Sequence, residues 1–247
     1  MPLFVRERLA AVSPPWAVRQ HVARYRWACS MSAGLRVLDA ACGTGYGTQM
    51  VATAGAAAEV FGADLAADVV RENKKLYGGN GRLKFITANA CKLPFPNDYF
   101  DLYACFETIE HVPDPIALLL EAKRVLRPDG ILLVSTPNRT MTNPGTTIAD
   151  RPFNRFHLRE WTCAEFVQLV AEVFSEYEVF VQAPFSENYA RFLAGVGQRS
   201  HWLAFRMHQA VKVLITILRR FPNCDVQPPV PGKVGEITVI RAIKKMN

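Results

Sequence analysis

The chain has 247 residues, half of them hydrophobic, and a formal net charge of +7. A single domain of this length buries roughly 70–75% of its unfolded surface, so its core needs no disulfide bonds or metals to hold it together. No apolar run approaches the ~18–20 residues of a membrane span, and the six cysteines show neither a CxxC pair nor zinc-site spacing, so we expect a cytoplasmic protein with reduced thiols.

Short apolar runs alternate with helical patterns along most of the chain. Strands are predicted at 36–40, 59–64, 83–88, 100–105, 130–136, 177–183 and 236–243. Helices are predicted between them at 15–30, 46–55, 66–77, 115–126 and 162–173. Alternation of helices with Val-, Ile- and Leu-rich strands is typical of a parallel sheet covered on both faces. The pattern therefore predicts an α/β fold with a doubly wound sheet.

The alternation stops after the sixth predicted strand. Residues 184–235 separate this strand from the last one and include a long helical pattern from about 199 to 221. Residues 1–183 contain 19 Lys or Arg and 19 Asp or Glu, whereas residues 184–247 contain 10 and 3. The whole positive excess therefore lies in the last quarter, which indicates an anionic partner or surface at that end.

A glycine-rich loop follows the first predicted strand, in VLDAACGTGYG (37–47). A strand, a glycine turn and a helix place backbone amides at the carboxyl edge of a sheet, where open α/β sheets bind ligands. The dinucleotide fingerprint GxGxxG fails because Thr48 stands at the third glycine position. The P-loop fails because no Gly-Lys-Ser/Thr follows.

The remaining pattern, acidic-x-x-x-Gly-x-Gly-x-Gly, resembles that of the class I S-adenosylmethionine-dependent methyltransferases. The resemblance extends from about His21 to Val173 and is similar to the ubiquinone-type and glycan-associated bacterial enzymes. Its further motifs are HVARY (21–25), Asp64 at the end of the second strand, ITANACKLPF, CFETIEHVPDP, EAKRVLRPDGILLVSTPN with Pro137-Asn138, and FHLREWTCAEF.

The resemblance implies a Rossmann-like, seven-stranded, mostly parallel sheet with an antiparallel last strand and a helical insertion before it. We divide the chain accordingly into an N-terminal helical cap (1–34), a cofactor-binding core (35–183), a helical insertion that forms an acceptor lid (184–235) and the final strand (236–247). The implied cofactor is S-adenosyl-L-methionine, and the product is S-adenosyl-L-homocysteine.

The cofactor residues follow from the resemblance and from the chemistry of each side chain. Asp64 can accept two hydrogen bonds from a ribose diol, and Asp39 is expected to face the cationic methionine end, directly or through water. Asn89 stands where relatives usually have Asp, which keeps an acceptor for the adenine amino group but loses a charge. The predicted cofactor site comprises Tyr25, Asp39, Ala41, Gly43, Gly45, Asp64, Leu65, Asn89, Ala90, Phe106 and Glu107.

Methyl transfer from a sulfonium is an in-line displacement, so the protein mainly positions the donor and the acceptor. An oxygen acceptor usually also needs a base, for which histidine suits neutral pH. His111 and His157 are the candidate bases, with His111 favoured slightly, and Arg155 and Arg159 are candidates to clamp an anionic acceptor. No convincing carboxylate cluster is present in the motifs, so we predict transfer without a metal.

The pattern at 199–221 leaves two interpretations open. A polar stripe is formed by Arg206, Gln209, Lys212, Thr216 and Arg219, and apolar residues cover most of the remaining surface. The helix can pack on two sides or form a dimer interface. It can instead be a lid or lipid-facing helix that meets phosphates of the inner membrane surface through Arg206, Lys212, Arg219 and Arg220.

Taken together, the sequence predicts a methyltransferase that acts, most simply on oxygen, on a small-molecule, saccharide or lipid-linked acceptor. The alternatives are an N- or C-methyltransferase and a cofactor-binding partner subunit without catalysis. A nucleic-acid partner is disfavoured because CFETIEH stands where an Asn-Pro-Pro-Tyr-type motif would follow the fourth strand. The protein is expected to be a monomer or a homodimer.

Overall fold

We describe the fold from a computed structural model of the chain, which covers residues 14–79, 81–218 and 223–245. Within these ranges, seven strands form one sheet in the order β3-β2-β1-β4-β5-β7-β6. The strands are β1 Arg36–Ala40, β2 Glu59–Asp64, β3 Leu83–Thr87, β4 Phe100–Phe106, β5 Leu126–Pro137, β6 Glu176–Ser186 and β7 Lys233–Ile243. The first five pair in parallel, and β7 is antiparallel to both β5 and β6. The predicted fold class is therefore confirmed.

Eight α-helices surround this sheet in the described ranges. They are α1 Pro15–Cys29, α2 Tyr46–Thr53, α3 Ala67–Tyr77, α4 Pro115–Val125, α5 Arg139–Thr142, α6 Cys163–Ala171, α7 Glu187–Arg199 and α8 His201–Ile217. A 3₁₀ turn at Ile109–His111 follows β4. The five helices predicted within the alternating part are all present, and their ends differ from the predicted ones by at most two residues.

Local sequence explains where several helices begin. Asp114 accepts a hydrogen bond from the Ala117 amide at the start of α4, and Pro115 occupies the first turn, where its missing N–H costs nothing. Thr162 and Glu165 form a reciprocal capping box at the start of α6. These caps orient the segments that follow β4 and β5, and both segments lead into the cavity described below.

Both faces of the sheet are buried. One apolar cluster packs α4 and α6 against the sheet, and a second packs α1, α2 and α3 against the opposite face. A smaller third cluster, built around Met141, Phe185 and Leu193, holds α7 and α8 against the end of β6. In the described part of the chain, no helix is long and apolar enough to cross a membrane.

The insertion departs most from the expectation. The predicted helix at 199–221 corresponds to α8, and α7 is a further helix that was not predicted. The two are separate because the Ser200 side chain accepts a hydrogen bond from the Leu203 amide and starts α8. Strands β6 and β7 form a longer hairpin than predicted, pairing from Glu176–Ile243 to Ser186–Lys233. The proposed domain limits at 183 and 235 consequently fall within strands, and the division itself stays a prediction. Residues 1–13 of the cap and 219–221 of the predicted helix lie outside the described residues.

A buried charged cluster connects α8 to the sheet. The Lys212 Nζ atom lies 2.5 Å from Glu236 Oε1 on β7, and His208 Nε2 lies 3.4 Å from the same oxygen. The Gln20 amide on α1 donates a 2.9 Å hydrogen bond to Glu236 Oε2. Burial alone would raise the pKa of Glu236, but Lys212 and His208 outweigh it and lower the pKa to about 2. Glu236 is therefore ionised and paired.

This cluster corrects the prediction that Lys212 meets membrane phosphates. Lys212 is only 3% exposed because its ammonium is used by Glu236 in the interior. The part of the polar stripe formed by Gln209, Lys212 and Thr216 points inward, and several large apolar residues of α8 face solvent. Arg206 does lie on the outer side, and Arg219 and Arg220 lie outside the described residues.

Replacing one partner of the buried pair should destabilise the fold strongly. We expect Glu236→Gln to lower the free energy of unfolding by about 3–5 kcal/mol, because it leaves the Lys212 charge buried without a counter-charge. The matched control is Glu178→Gln, which removes an exposed partner of Arg241 and should cost about 1 kcal/mol or less. Urea unfolding measures both variants. The double variant Lys212→Met/Glu236→Gln should regain much of the loss, and equal losses in E236Q and E178Q would refute this account.

Candidate functional site

A cavity of about 710 Å³ opens at the carboxyl ends of the parallel strands. Its walls come from the loops after β1, β2, β3, β4 and β5, together with α1 and α8. The chain reverses its direction of strand addition between β1 and β4, which is the point in an open α/β sheet where a crevice forms and ligands bind. The cavity is therefore the candidate functional site.

The glycine loop after β1 supplies backbone to one wall. Gly43 has a φ of +53° and no atom within 4 Å of where a Cβ would be, so its main chain faces open space. Gly45, the N-cap of α2, has a φ of +73°, and a Cβ there would lie 2.8 Å from the Asn73 side chain. Gly43 therefore allows close approach to the cavity, whereas Gly45 is needed for the turn and lies outside the lining.

Asp64 lies at the tip of β2 and lines the cavity. Its Oδ2 accepts a 2.9 Å hydrogen bond from the Gly43 amide, and its Oδ1 accepts one of 2.9 Å from the Ala66 amide. A carboxylate has about four acceptor sites, so capacity remains for a pair of ligand hydroxyls. The two amides hold the carboxylate at the cavity edge in one orientation.

Asp39 is placed differently from the expectation. It is 1% exposed and lies behind the lining, where it accepts hydrogen bonds from the Tyr25 hydroxyl at 3.0 Å and the Thr48 hydroxyl at 2.6 Å. Burial raises the pKa of Asp39 to about 7, against the opposing effect of these two donors. Direct contact with a ligand is therefore corrected to an indirect role: Asp39 holds Tyr25, whose ring does line the cavity.

The remaining predicted cofactor residues gather along the same wall. Leu65 is 61% exposed and stands beside Asp64. Asn89 accepts a 2.9 Å hydrogen bond from the Cys91 amide, and Glu107 holds a φ of +50° while it accepts a bond from the Ser135 hydroxyl. The predicted residues that line the cavity are Tyr25, Ala41, Gly43, Asp64, Leu65, Asn89, Ala90, Phe106 and Glu107.

The two candidate bases meet in the same cavity. The rings of His111 and His157 lie 4.8 Å apart, edge to face. His111 Nδ1 donates to the Phe156 carbonyl at 3.0 Å, which leaves Nε2 as the basic nitrogen of the neutral ring. The sequence separates these histidines by 46 positions, but the turn after β4 and the segment after β5 bring them together.

His157 is held on both ring nitrogens. Its Nδ1 lies 2.5 Å from Glu160 Oε1, and its Nε2 accepts from the Asn154 side-chain amide at 2.9 Å. The Asn154 side-chain oxygen accepts a hydrogen bond from the Phe156 amide, so the NH₂ group of Asn154 is the end that faces His157. Glu160 in turn accepts from Thr142 and Asn143. His157 is thus a fixed ring that packs against the more accessible His111.

Glu110 lies directly beside these rings and is fully buried. Its Oε2 accepts a 3.1 Å hydrogen bond from Thr136, and burial raises its pKa well above the usual range. One ligand atom each from Glu110, His111 and His157 lies within 4.8 Å of the others, a spacing that could hold a metal ion. The Asn154 amide already occupies His157 Nε2, which opposes a metal bond at that nitrogen, and metal-independent chemistry stays a prediction.

The structure contradicts the predicted acceptor clamp. Arg155 is exposed, with its guanidinium 4.8 Å from the Phe156 ring centre, and Arg159 donates to the Pro113 carbonyl at 3.0 Å. Neither arginine lines the cavity. The reason is the backbone around His157: the Leu158 amide bonds to the Glu110 carbonyl and directs His157 inward, so its charged neighbours point away.

Sequence reasoning expected the insertion to cover the acceptor, but it missed several of the residues through which α1 and α8 line the cavity. Trp16 lies against Lys212 at 3.3 Å from ring centre to Nζ, and Phe205 stacks on Phe153 at 4.6 Å. His21 contacts the Tyr46 hydroxyl, and burial and Arg24 lower its pKa to about 3. Two of the missed residues had a sequence signal: His21 lies in the HVARY stretch, and Glu160 follows His157 by three positions, a helical spacing. No local pattern identified Trp16 or Phe205 as cavity residues.

Proteins of similar sequence are named as methyltransferases. The chain is 37% identical to a probable S-adenosylmethionine-dependent methyltransferase of Mycolicibacterium smegmatis over 160 residues, which is 65% of this chain and 59% of that protein. It is 36% identical to the ubiquinone biosynthesis O-methyltransferase of Haemophilus ducreyi over 121 residues, 44% and 48% of the two chains. The chain thus spans roughly half to three fifths of the curated relatives it matches.

Solved structures share the fold. The YcgJ protein of Bacillus subtilis has a TM-score of 0.59 at 18% identity, over 92% of this chain and all of that one. The [4+2]-cyclase SpnF has a TM-score of 0.62 at 20% identity, over 98% and 86%. Phosphoethanolamine N-methyltransferase 2 of Haemonchus contortus, solved with S-adenosyl-L-methionine, has a TM-score of 0.60 at 18% identity, over 93% and 53%.

A family model also matches the core of the chain. Residues 38–134, from β1 to β5, match the family described as "Methyltransferase domain". This segment contains the glycine loop, Asp64, Asn89 and the turn that bears His111, which are the parts of the cavity that the sequence resemblance identified. Residues 38–134 of the chain therefore match a methyltransferase domain, and this domain carries the cofactor wall of the cavity.

Proposed function

We propose that this protein transfers the methyl group of S-adenosyl-L-methionine to an acceptor bound in the same cavity. The observation that carries the proposal is that one continuous cavity joins the Asp64 and Gly43 wall to the His111–His157 pair. Sulfonium methyl transfer needs alignment of donor and acceptor and exclusion of water, and alignment alone can supply roughly 7–11 kcal/mol. An enclosed site with a donor side and an acceptor side suits that reaction.

The donor side fits the cofactor through the chain's own groups. Asp64 would accept from the ribose hydroxyls, and Leu65 and Ala90 would enclose the adenine. The open space over Gly43 leaves room for the rest of the cofactor to lie against the backbone. The carbonyl region at Phe106–Glu107, where a positive φ turns the chain toward the cavity, would hold the ammonium group.

Asp64 should carry a large share of cofactor affinity. We expect Asp64→Asn to weaken binding of S-adenosyl-L-homocysteine by roughly 10- to 150-fold, because hydrogen bonds to a charged group contribute about 1.5–3 kcal/mol. Isothermal titration calorimetry measures this change. Asp68→Asn, which removes the same charge from the exposed start of α3, should leave affinity unchanged. Unaltered affinity in D64N with intact urea unfolding would contradict the assigned ribose site.

On the acceptor side, we assign the base to His111. Its Nδ1 is fixed as a donor to Phe156, so the Nε2 atom takes the acceptor proton as the methyl group arrives. His157 orients this ring by edge-to-face contact and is itself oriented by Glu160. This arrangement supports an oxygen acceptor, since transfer to oxygen requires loss of a proton.

Removal of the base should separate binding from turnover. We expect His111→Ala to lower methyl transfer by about 10²- to 10⁴-fold, the usual contribution of general base catalysis, with no change in cofactor affinity. His201→Ala, at the start of α8 and outside the cavity lining, is the control. Normal turnover in H111A, with H157A impaired, would move the base to His157; normal turnover in both would leave the transfer without a histidine base.

The acceptor half of the cavity supports an amphipathic acceptor. Trp16, Phe153 and Phe205 provide aromatic surface, and Gln209 and Lys212 provide polar groups. The Lys212 charge is balanced by Glu236, so this wall favours hydroxyls over a strongly anionic group. We propose a saccharide or lipid-linked hydroxyl compound. Some relatives are named for methylation in ubiquinone biosynthesis or of demethylmenaquinone, and these names are compatible with an apolar acceptor that carries a hydroxyl group.

Two alternatives are weaker. N-methylation fits the same donor site but depends less on a positioned base, because a neutral amine is already nucleophilic. C-methylation also releases a proton, so identification of the product must separate it from O-methylation. A partner subunit without catalysis would not need the His111–His157 pair in the cavity, and the curated relatives are named as methyltransferases. The likeness to a [4+2]-cyclase concerns the fold, so activity must be tested directly.

Transfer of radiolabelled methyl from S-adenosylmethionine into a bacterial extract tests the activity and the acceptor class together. We expect label in the organic phase, with the same yield in the presence of EDTA. Label confined to the aqueous phase would replace the lipid-linked acceptor with a soluble sugar or metabolite. Loss of transfer in EDTA, restored by a divalent cation, would refute the metal-independent reaction. No label in either phase would contradict the proposed activity.

A further inference from the structure

Helix α8 carries apolar residues on both of its sides. Its inner side packs Val211 and Ile215 on the third apolar cluster and places His208 and Lys212 beside Glu236. Its outer side carries six large apolar side chains that are each 45% to 71% exposed: Trp202, Leu203, Val213, Leu214, Ile217 and Leu218. These six residues, which we call the outer apolar face, lie within one side of the helix. The core therefore does not account for their hydrophobicity.

The charges around this face have one sign. Residues 188–224 contain six Lys or Arg and no Asp or Glu. Arg199 precedes α8, and Arg206 lies within the outer apolar face, with its guanidinium 5.8 Å from the Trp202 ring centre. Arg219 and Arg220 follow Leu218 in the sequence, outside the described residues. The charge of Lys212 is balanced by Glu236 in the interior, so the positive charge near the outer apolar face comes from exposed arginines such as Arg199 and Arg206.

We propose that the outer apolar face of α8 docks onto an anionic phospholipid surface. A helix that lies in the membrane interface buries an apolar face and needs basic groups near it to meet lipid phosphates. Trp202 is of a residue type that is enriched at the membrane–water interface. The long side chain of Arg206 can place its guanidinium at the lipid phosphates while its methylene groups stay among the apolar residues. The charge pattern of residues 188–224 is complementary to such a surface.

A second copy of the chain fits this face less well. In a twofold-symmetric dimer the same patch meets itself, so each outer apolar face would bring its own arginine toward the other. No acidic residue within 188–224 is available to balance them. An anionic lipid surface supplies the missing negative charge and covers the apolar side chains at the same time.

Docking would place the acceptor cavity beside the membrane. Phe205, Gln209 and Lys212 line the cavity from the inner side of the helix whose outer side contacts lipid. This consequence rests on the proposed function, but the docking does not. Vesicle binding and methyl transfer are separate measurements, so either can fail without the other.

Co-sedimentation with vesicles tests the proposal on the full chain. We expect binding to phosphatidylcholine mixed with phosphatidylglycerol, at least tenfold weaker binding to phosphatidylcholine alone, and release at high salt. Leu214→Gln/Ile217→Gln should lower binding at least tenfold, and Arg206→Gln should lower it on anionic vesicles. The matched control is Leu76→Gln/Leu120→Gln, which changes two equally exposed leucines on α3 and α4 and should bind like the unchanged protein.

Several outcomes would overturn the proposal. Binding that is equal on both vesicle types would remove the charge argument, and absence of binding would remove the docking itself. Equal losses in the α8 and control variants would mean that the outer apolar face is not the contact. A dimer in size-exclusion chromatography that L214Q/I217Q converts to a monomer would assign the face to a second copy. Urea unfolding of each variant confirms that the fold is intact.

Discussion

The buried carboxylate of Glu236 is the interaction on which the arrangement around the cavity depends. A buried charge is stable only when paired and hydrogen-bonded, and the partners of the Glu236 carboxylate come from α1 and α8. Gln20, His208 and Lys212 therefore draw the N-terminal helix and the insertion over the carboxyl edge of the sheet. Because α8 turns Lys212 and His208 toward Glu236, its outer apolar face remains exposed.

The two halves of the cavity consequently have different origins. The cofactor half is built by the loops of the parallel sheet, where Asp64 is held by the amides of Gly43 and Ala66. The acceptor half is built by α1, α8 and the segment after β5, through residues such as Trp16 and Phe205. Proteins that share the sheet can share the first half and differ in the second. Solved neighbours that share this fold are indeed named for different reactions.

Sequence reasoning succeeded where the information is local. The seven strands follow from apolar runs, and the positions of Asp64, Leu65 and Asn89 follow because each comes directly after a parallel strand, whose ends share one edge. It failed where orientation depends on a distant partner. A helical pattern defines the two sides of α8 but not which side is buried, because that is decided by Glu236, 24 residues after Lys212. Arg155 and Arg159 were misplaced for the same reason, since a backbone bond from Leu158 to Glu110 turns His157 inward instead.

The histidine pair shows how the two kinds of information combine. Sequence identified His111 and His157 as alternatives, and the fold brings both into one cluster with different degrees of restraint. His157 is fixed on both nitrogens by Glu160 and Asn154, whereas His111 is fixed on Nδ1 by a carbonyl. In the proposed reaction the proton acceptor must present its basic nitrogen to the substrate, and His157 could do so only by breaking its bond to Asn154 or to Glu160. We therefore propose different roles for the two residues: His157 sets the position of the neighbouring ring, and His111 meets the acceptor.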